Sequence, residues 1–361
     1  MTAIEPEEPA AEEVQDLSVA EDEDATTDLR YQISSYGADY PVDGLVKRLR
    51  SGDIELPKFQ REFVWPVTQS SKFIESLLLG LPVPAIFLSK DPGTQKLLVI
   101  DGQQRLKSLL FFYDGILRGK EFKLQGVNKD FADATYKSLR DEDRRRLDDA
   151  ILHAIIVRQE DPKDDDSSIF LVFERLNTTS TPLSEQEIRA CVYHGPFNDH
   201  LATLNEKPAW RSIYGEVNLR QKDKELILRL LALHFDLASY ERPMKLFLTN
   251  FMRKNRNLTL VNAAALDDAF IPTINLASGA LGRGAFRPQR ALNASVTDAI
   301  LAGTARRLAI GRITDRKAYK AAVMSVLESD GFRELYTVGT TNKDKVTTRI
   351  AKIAEALSAV G

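Results

Sequence analysis

Apolar residues at Val42, Leu45, Val46 and Leu49 recur at helical spacing and stop at Gly52, which predicts a short amphipathic helix opening the folded body. The next stretch, ELPKFQREFVWP, is expected to be extended. Pro57 and Pro66 forbid a continuous helix there, and Phe59, Phe63 and Trp65 give the segment surface to bury. A second helix is predicted from about Thr68, with Phe73, Ile74, Leu77 and Leu78 on one face and Gly80 at its end. Two β-type runs, AIFLSK and KLLVI, flank the turn sequence Asp91-Pro92-Gly93 and read as a hairpin. After Ile100 comes DGQQR, and then Leu106, Leu109, Leu110 and Tyr113 at helical spacing, so this loop is placed at a strand-to-helix junction. A helix over residues 141–149, the strand HAIIVRQ and an acidic loop over 161–166 follow.

Beyond that loop the periodicity is helical almost throughout, near residues 169–176, 185–193, 222–237, 244–254, 297–308, 319–327 and 346–359. The chain thus reads as an α+β front half, residues 31–165, followed by an all-helical domain, 166–361. Residues 1–30 fit neither half. They hold eleven Asp or Glu against Arg30 alone and almost no aromatics, a composition that cannot bury enough surface to fold.

Composition changes this picture in two ways. The 361 residues are 43% hydrophobic, enough for a full core. The tail carries a charge of about −10, so the formal −3 of the whole chain leaves the body near +7, a basic excess that permits anionic ligands. A single cysteine, Cys191, excludes an internal disulfide and multi-cysteine metal sites. With no secretion signal and no apolar run of roughly 18 to 20 residues, the protein is expected to be cytoplasmic and away from membranes.

The strongest candidate chemistry lies in IDGQQRLKSLL. Gly102 can let the backbone approach a ligand, the N–H groups at a helix start attract anions, and Arg105 can fork onto phosphate oxygens. Asp101 is suited to Mg²⁺ or another divalent cation, or to orienting a water. The structural alternative is a capped helix in which Asp101 is the N-cap and Arg105 pairs with it. In LPKFQREFVW, Gln60 and Arg61 are polar groups in a tightly packed segment; they either face the same pocket or tie a loop to a helix carbonyl. In FERLNTTSTPLSEQEIRA, Ser184 and Glu187 form an expected capping box, which makes Glu187 structural, while Asn177 and Arg189 are candidates to line a pocket.

Other chemistries lack their residues. The nearest approach to a phosphate-binding P-loop, Gly115 to Glu121, has three residues between its glycines and Glu121 where Ser or Thr is required. His153, His194, His200 and His234 form no HExxH pair. Basic clusters at residues 144–146, at Arg253, Lys254 and Arg256, and over residues 306–317 could meet DNA phosphates or be solvated helix faces; the Arg253 cluster is the preferred DNA-binding candidate.

Taken in order and spacing, LPKFQREFVWP, LLLGLPVPAIFL, VIDGQQRLKSLL and FERLNTTSTPLSEQEIRA resemble the GmrSD restriction endonuclease N-terminal domain family, clearly over residues 31–193, with YERPMKLFLTNFMRKN similar to its helical extension. The resemblance implies a ParB/sulfiredoxin-like small mixed sheet with helices, in which the DGQQR loop binds and hydrolyses nucleoside triphosphate within phage-defence systems that restrict modified DNA. It implies catalytic roles for Asp101, Gln103, Gln104 and Arg105, and nucleotide-binding roles for Gln60, Arg61, Gly102, Asn177 and Arg189. Many relatives carry a C-terminal HNH nuclease, but no histidine follows Glu241 here, so cleavage would need a separate HNH-type subunit or another site. Sulfiredoxins place a cysteine where this loop has Gln103 and Gln104, which argues against sulfinic acid reduction. Two readings stay open: an NTPase coupled to DNA restriction, and a non-hydrolysing nucleotide-responsive sensor that recruits a nuclease.

Overall fold

The computed structural model describes residues 14–15, 32–56, 63–91, 94–161, 167–176 and 183–361. The expectations for Gln60, Arg61, Asn177, the Pro92-Gly93 turn and residues 162–166, and for most of the acidic tail, lie outside the described residues. Within the tail, Val14–Gln15 forms a short strand, β1, parallel to β9 at Leu292–Asn293.

The chain divides into two compact units, Leu29–Leu183 and Ser184–Gly361, the latter together with Met1–Asp28. The architecture is α+β with a mixed sheet, followed by a helical region, as the residue pattern predicts. The helical unit starts at Ser184 instead of residue 166, because helix α5 (Ser167–Leu176) packs on strands of the first unit.

The sheet of the first unit has the order β2-β8-β4-β5-β3, formed by Gln32–Pro41, Ile151–Asp161, Ile86–Lys90, Leu97–Asp101 and Ile54–Glu55. β4 and β5 pair antiparallel as the expected hairpin, whereas β8 joins β4 and β3 joins β5 in parallel. The pattern of residues misses β2: helix α1 (Val42–Ser51) does not open the folded body, because a ten-residue strand precedes it and runs antiparallel along β8.

Helix α1 ends where Gly52, at φ 76°, returns its N–H to the Arg48 and Leu49 carbonyls. It buries Val42, Leu45 and Val46 in one cluster with Phe73, Ile74, Leu77 and Leu78 of α2 (Val67–Leu78), with Ile86, Leu88 and Val99 of the sheet, and with Leu106, Leu109 and Phe112 of α3 (Gln103–Asp114). Each such side chain contributes roughly 1.5–3 kcal/mol on burial, so these helices are held on the sheet by their apolar stripes. At the far end of α3, Tyr113 stacks on Tyr136, and both hydroxyls donate to Asp148 of α4 (Asp141–Asp149), at 2.5 and 3.0 Å. Burial and the Asp148 carboxylate push both phenols up, Tyr136 to about 12.

The helical unit comprises α6 (Glu185–Val192), α7 (Pro196–Asn205), α8 (Pro208–Tyr214), α9 (Lys222–Phe235), α10 (Met244–Asn255), α11 (Ala263–Leu281), α12 (Ala294–Leu308), α13 (Arg316–Leu327), α14 (Asp330–Arg333) and α15 (Lys343–Ala356). The expected capping box is present at α6: Ser184 Oγ accepts the Glu187 N–H, and Glu187 accepts the Ser184 N–H at 2.6 Å. No helix among the described residues is long and apolar enough to cross a membrane.

Candidate functional site

The DGQQR segment lies where strand β5 becomes helix α3. Asp101 is the last residue of the strand and pairs with Phe87 of β4; Gly102 then turns the chain at φ 99° and accepts the Leu106 N–H at 2.9 Å, closing the first helical turn. A Cβ at Gly102 would lie 2.4 Å from Ile86 Cγ2, and Ile86 is fully buried in the core. Glycine is therefore required twice over, by the left-handed backbone and by the close approach of β4.

The N-cap of α3 is Gly102, which has no side chain to offer the first-turn amides. The first-turn amides of a helix have no acceptor within it, and the helix dipole adds positive potential there. The Asp101 carboxylate, which the capped-helix alternative would place on those amides, instead accepts from Arg105 Nη2 at 2.5 Å through Oδ2. Arg105 Nη1 donates to the Pro84 carbonyl at 3.1 Å. The pairing of that alternative is thus observed and its capping is not. The Arg105 side chain is 12% exposed and that of Asp101 34%, so the ion pair borders solvent at the mouth of the turn.

The two glutamines differ. Gln103 is buried at the first helical position. Gln104 Oε1 accepts the backbone N–H groups of Val64 at 3.0 Å and Trp65 at 3.3 Å. Arg118 Nη2 holds the Phe63 carbonyl at 2.9 Å, Phe63 meets Phe111 edge-on at 5.1 Å, and Trp65 meets Phe73 at 6.0 Å. Residues 63–65, immediately downstream of Gln60 and Arg61 in the chain, are in this way fastened to α3 and to Arg118. The carbonyl of Pro84, the side chain of Ile86 and the amides of Val64 and Trp65 all belong to the site, and the residue pattern pointed to none of them, since backbone groups leave no mark in side-chain spacing.

Two expected groups are engaged elsewhere. Arg189 is fully buried in the helical unit, donating to Glu225 at 2.7 Å, Gln186 at 2.9 Å and the Lys245 carbonyl at 3.4 Å, with Glu185 at 3.5 Å. Its guanidinium is used to hold α6 against α9 and α10, which corrects its assignment to a pocket lining. Burial, opposed by Arg189, pushes the Glu185 carboxyl up. Of the preferred basic cluster, Arg256 Nε donates to the His194 carbonyl at 2.8 Å, Lys254 faces Asp236 at 3.8 Å, and Arg253 is half-buried. These three do not form an open basic face.

A divalent cation is compatible with the site in one mode. Asp101 Oδ1 accepts no hydrogen bond from a described residue, and Mg²⁺ commonly takes one or two carboxylates, waters and substrate phosphate oxygens. No group of three or more His, Cys, Asp or Glu residues converges among the described residues, so the fit is to a metal that arrives with a phosphate ligand.

A strand ending in Asp101 and turning at Gly102 directly into a helix, within a mixed sheet, defines an α+β domain organised around a strand-to-helix loop. Residues 42–194 match the model of the GmrSD restriction endonuclease, N-terminal domain, so this segment is similar to that family. No curated protein matches the chain.

Proposed function

We propose that the DGQQR turn binds and hydrolyses a nucleoside triphosphate and that this activity serves restriction of modified or phage DNA. The observation that carries the reading is the start of α3 at Gly102, an N-cap without a side chain, beside the Asp101–Arg105 pair at the edge of solvent. An anionic phosphate fits there because first-turn amides and a guanidinium both stabilise negative charge, and such positioned donors lower the energy of a transition state that spreads charge over phosphoryl oxygens.

Arg105 would supply that charge by sharing its guanidinium between Asp101 and the phosphate. Gln104 acts as a positioning residue, holding the segment that carries Gln60 and Arg61. Asp101 Oδ1 would hold Mg²⁺, which supplies charge neutralisation on phosphate oxygens when bound. The family's description as a restriction endonuclease supports the link to DNA, and in this reading a separate HNH-type subunit is the nuclease. Action in the cytoplasm accords with both.

The test is phosphate release from each of the four nucleoside triphosphates with Mg²⁺, with and without DNA. Wild type is expected to turn over at least one, and Asp101→Ala and Arg105→Ala to lose turnover at least about a hundredfold, the usual scale for removing a charge-stabilising group. Nucleotide binding by wild type without phosphate release under any condition would replace this reading with the nucleotide-responsive sensor.

A further inference from the structure

The helical unit concentrates positive charge at one corner, between the end of α12 at Leu308 and the start of α13 at Arg316. Residues 306–320 hold Arg306, Arg307, Arg312, Arg316, Lys317 and Lys320 against the single carboxylate of Asp315. That carboxylate is occupied as the N-cap of α13, accepting the N–H groups of Lys317 and Ala318, each at 2.9 Å. Arg307 stiffens the corner by donating to the Leu357, Gly311 and Val360 carbonyls at 3.0, 2.9 and 2.6 Å. The other five basic side chains are exposed, and none forms an ion pair among the described residues. Several exposed basic residues elsewhere are paired with carboxylates, among them Lys47 with Asp43, Arg50 with Asp114 and Lys96 with Glu55.

Like charges crowded without counter-charges repel one another, so this corner stabilises a complex with a polyanion more than it stabilises the free fold. We propose that it is a backbone-binding face for double-stranded DNA, read through its phosphates without regard to base sequence. The chemistry favours DNA over an anionic membrane. Ile310, at 85%, is the one large exposed apolar side chain in the segment, and Tyr319 is fully buried, whereas an interfacial helix needs a broad apolar face. The face is independent of the DGQQR turn and is expected to bind DNA without nucleotide.

The experiment is fluorescence anisotropy of a labelled random-sequence duplex with the full chain, without nucleotide, across a salt series. The test variant is Arg312→Gln/Lys317→Gln/Lys320→Gln, and Lys129→Gln/Lys137→Gln on the first unit is the control. Wild type is expected to bind with a steep salt dependence. The triple variant should lose at least about tenfold in affinity at low salt, and its slope of log K against log salt should fall by about 2 to 3, since each phosphate contact adds about 0.9. The control should match wild type. Arg312→Gln alone, with a slope lower by about one, gives the same answer should the triple variant melt early. Unchanged affinity and slope in the triple variant, an equal loss in the control, or wild-type binding to phosphatidylserine vesicles but not to duplex would each overturn the proposal.

Discussion

Gln104 Oε1 bridges the backbone N–H groups of Val64 and Trp65 across some forty residues of chain, at 3.0 and 3.3 Å. A side chain in the motif itself thereby fixes the segment that follows Gln60 and Arg61. Gln104→Ala should leave two amides without their acceptor and cost about 1–3 kcal/mol in stability. Gln104→Glu keeps the acceptor oxygen and should retain most of it. Hydrogen exchange at Val64 and Trp65 reads the tether directly: exchange should accelerate in the Ala variant and stay near wild type in the Glu variant. Equal protection in all three proteins would remove the tethering role.

Gly102 carries both a left-handed backbone and a packing constraint. With φ at 99° and a Cβ position 2.4 Å from Ile86 Cγ2, Gly102→Ala should cost about 2–4 kcal/mol, combining a positive-φ penalty with overpacking of a closed core. Ile86→Leu removes the branch that clashes. The double variant should therefore be less destabilised than the sum of the two single ones in urea unfolding. Strict additivity would mean that the backbone angle alone demands glycine.

His234 at the end of α9 is half-buried, and its Nδ1 has no hydrogen-bond partner among the described residues. Burial, and secondarily the Arg306 charge, hold its pKa below the ordinary 6.5. A histidine neutral in the fold contributes stability that is present above 6.5 and lost as pH falls from there through its folded pKa. His234→Gln should accordingly flatten the fall in melting temperature between pH 7 and pH 5. Arg306→Gln should move the His234 titration upward in an NMR pH series, leaving it under 6.5 because burial is the larger cause. A downward or absent movement would separate the two residues electrostatically.

Legibility in the residues follows how local each interaction is. The 3.6-residue spacing from Val42 to Leu49 and the apolar runs of β4 and β5 are local, and those elements lie where the spacing puts them. β2 is hidden because Ser34, Ser35, Gly37 and Ala38 show no alternation; it exists through its ladder with β8, whose partners Asp39 and His153 stand 114 residues apart. Helix α11 is hidden by Pro272 in its interior, which removes one backbone donor but is outweighed by burial of Leu266, Phe270, Ile274 and Leu281. The DGQQR turn was legible because glycine, carboxylate and guanidinium are consecutive. The engagement of Arg189 with Glu225 was not, because a buried ion pair and a ligand-binding arginine look alike until the partner is seen.

The core of the helical unit poses the same question with two arginines and one carboxylate. Asp298 accepts from Arg229 Nη2 at 2.6 Å and from Arg349 Nη2 at 3.2 Å, and all three side chains are at most 1% exposed. Arg349 also donates to the Thr340 carbonyl, its Nε has no partner among the described residues, and burial pushes its pKa down. One carboxylate serves two guanidiniums, so the three members should not be equal in thermal melting. Asp298→Ala takes the shared carboxylate from two buried guanidiniums and should cost about 3–5 kcal/mol, whereas Arg349→Met leaves the Arg229–Asp298 pair in place and should cost clearly less. Adding Arg349→Met to Asp298→Ala should recover part of the loss, because it removes one stranded charge. If Arg349→Met alone proves as damaging as Asp298→Ala, Arg349 is held chiefly for its bond to the Thr340 carbonyl and not by Asp298.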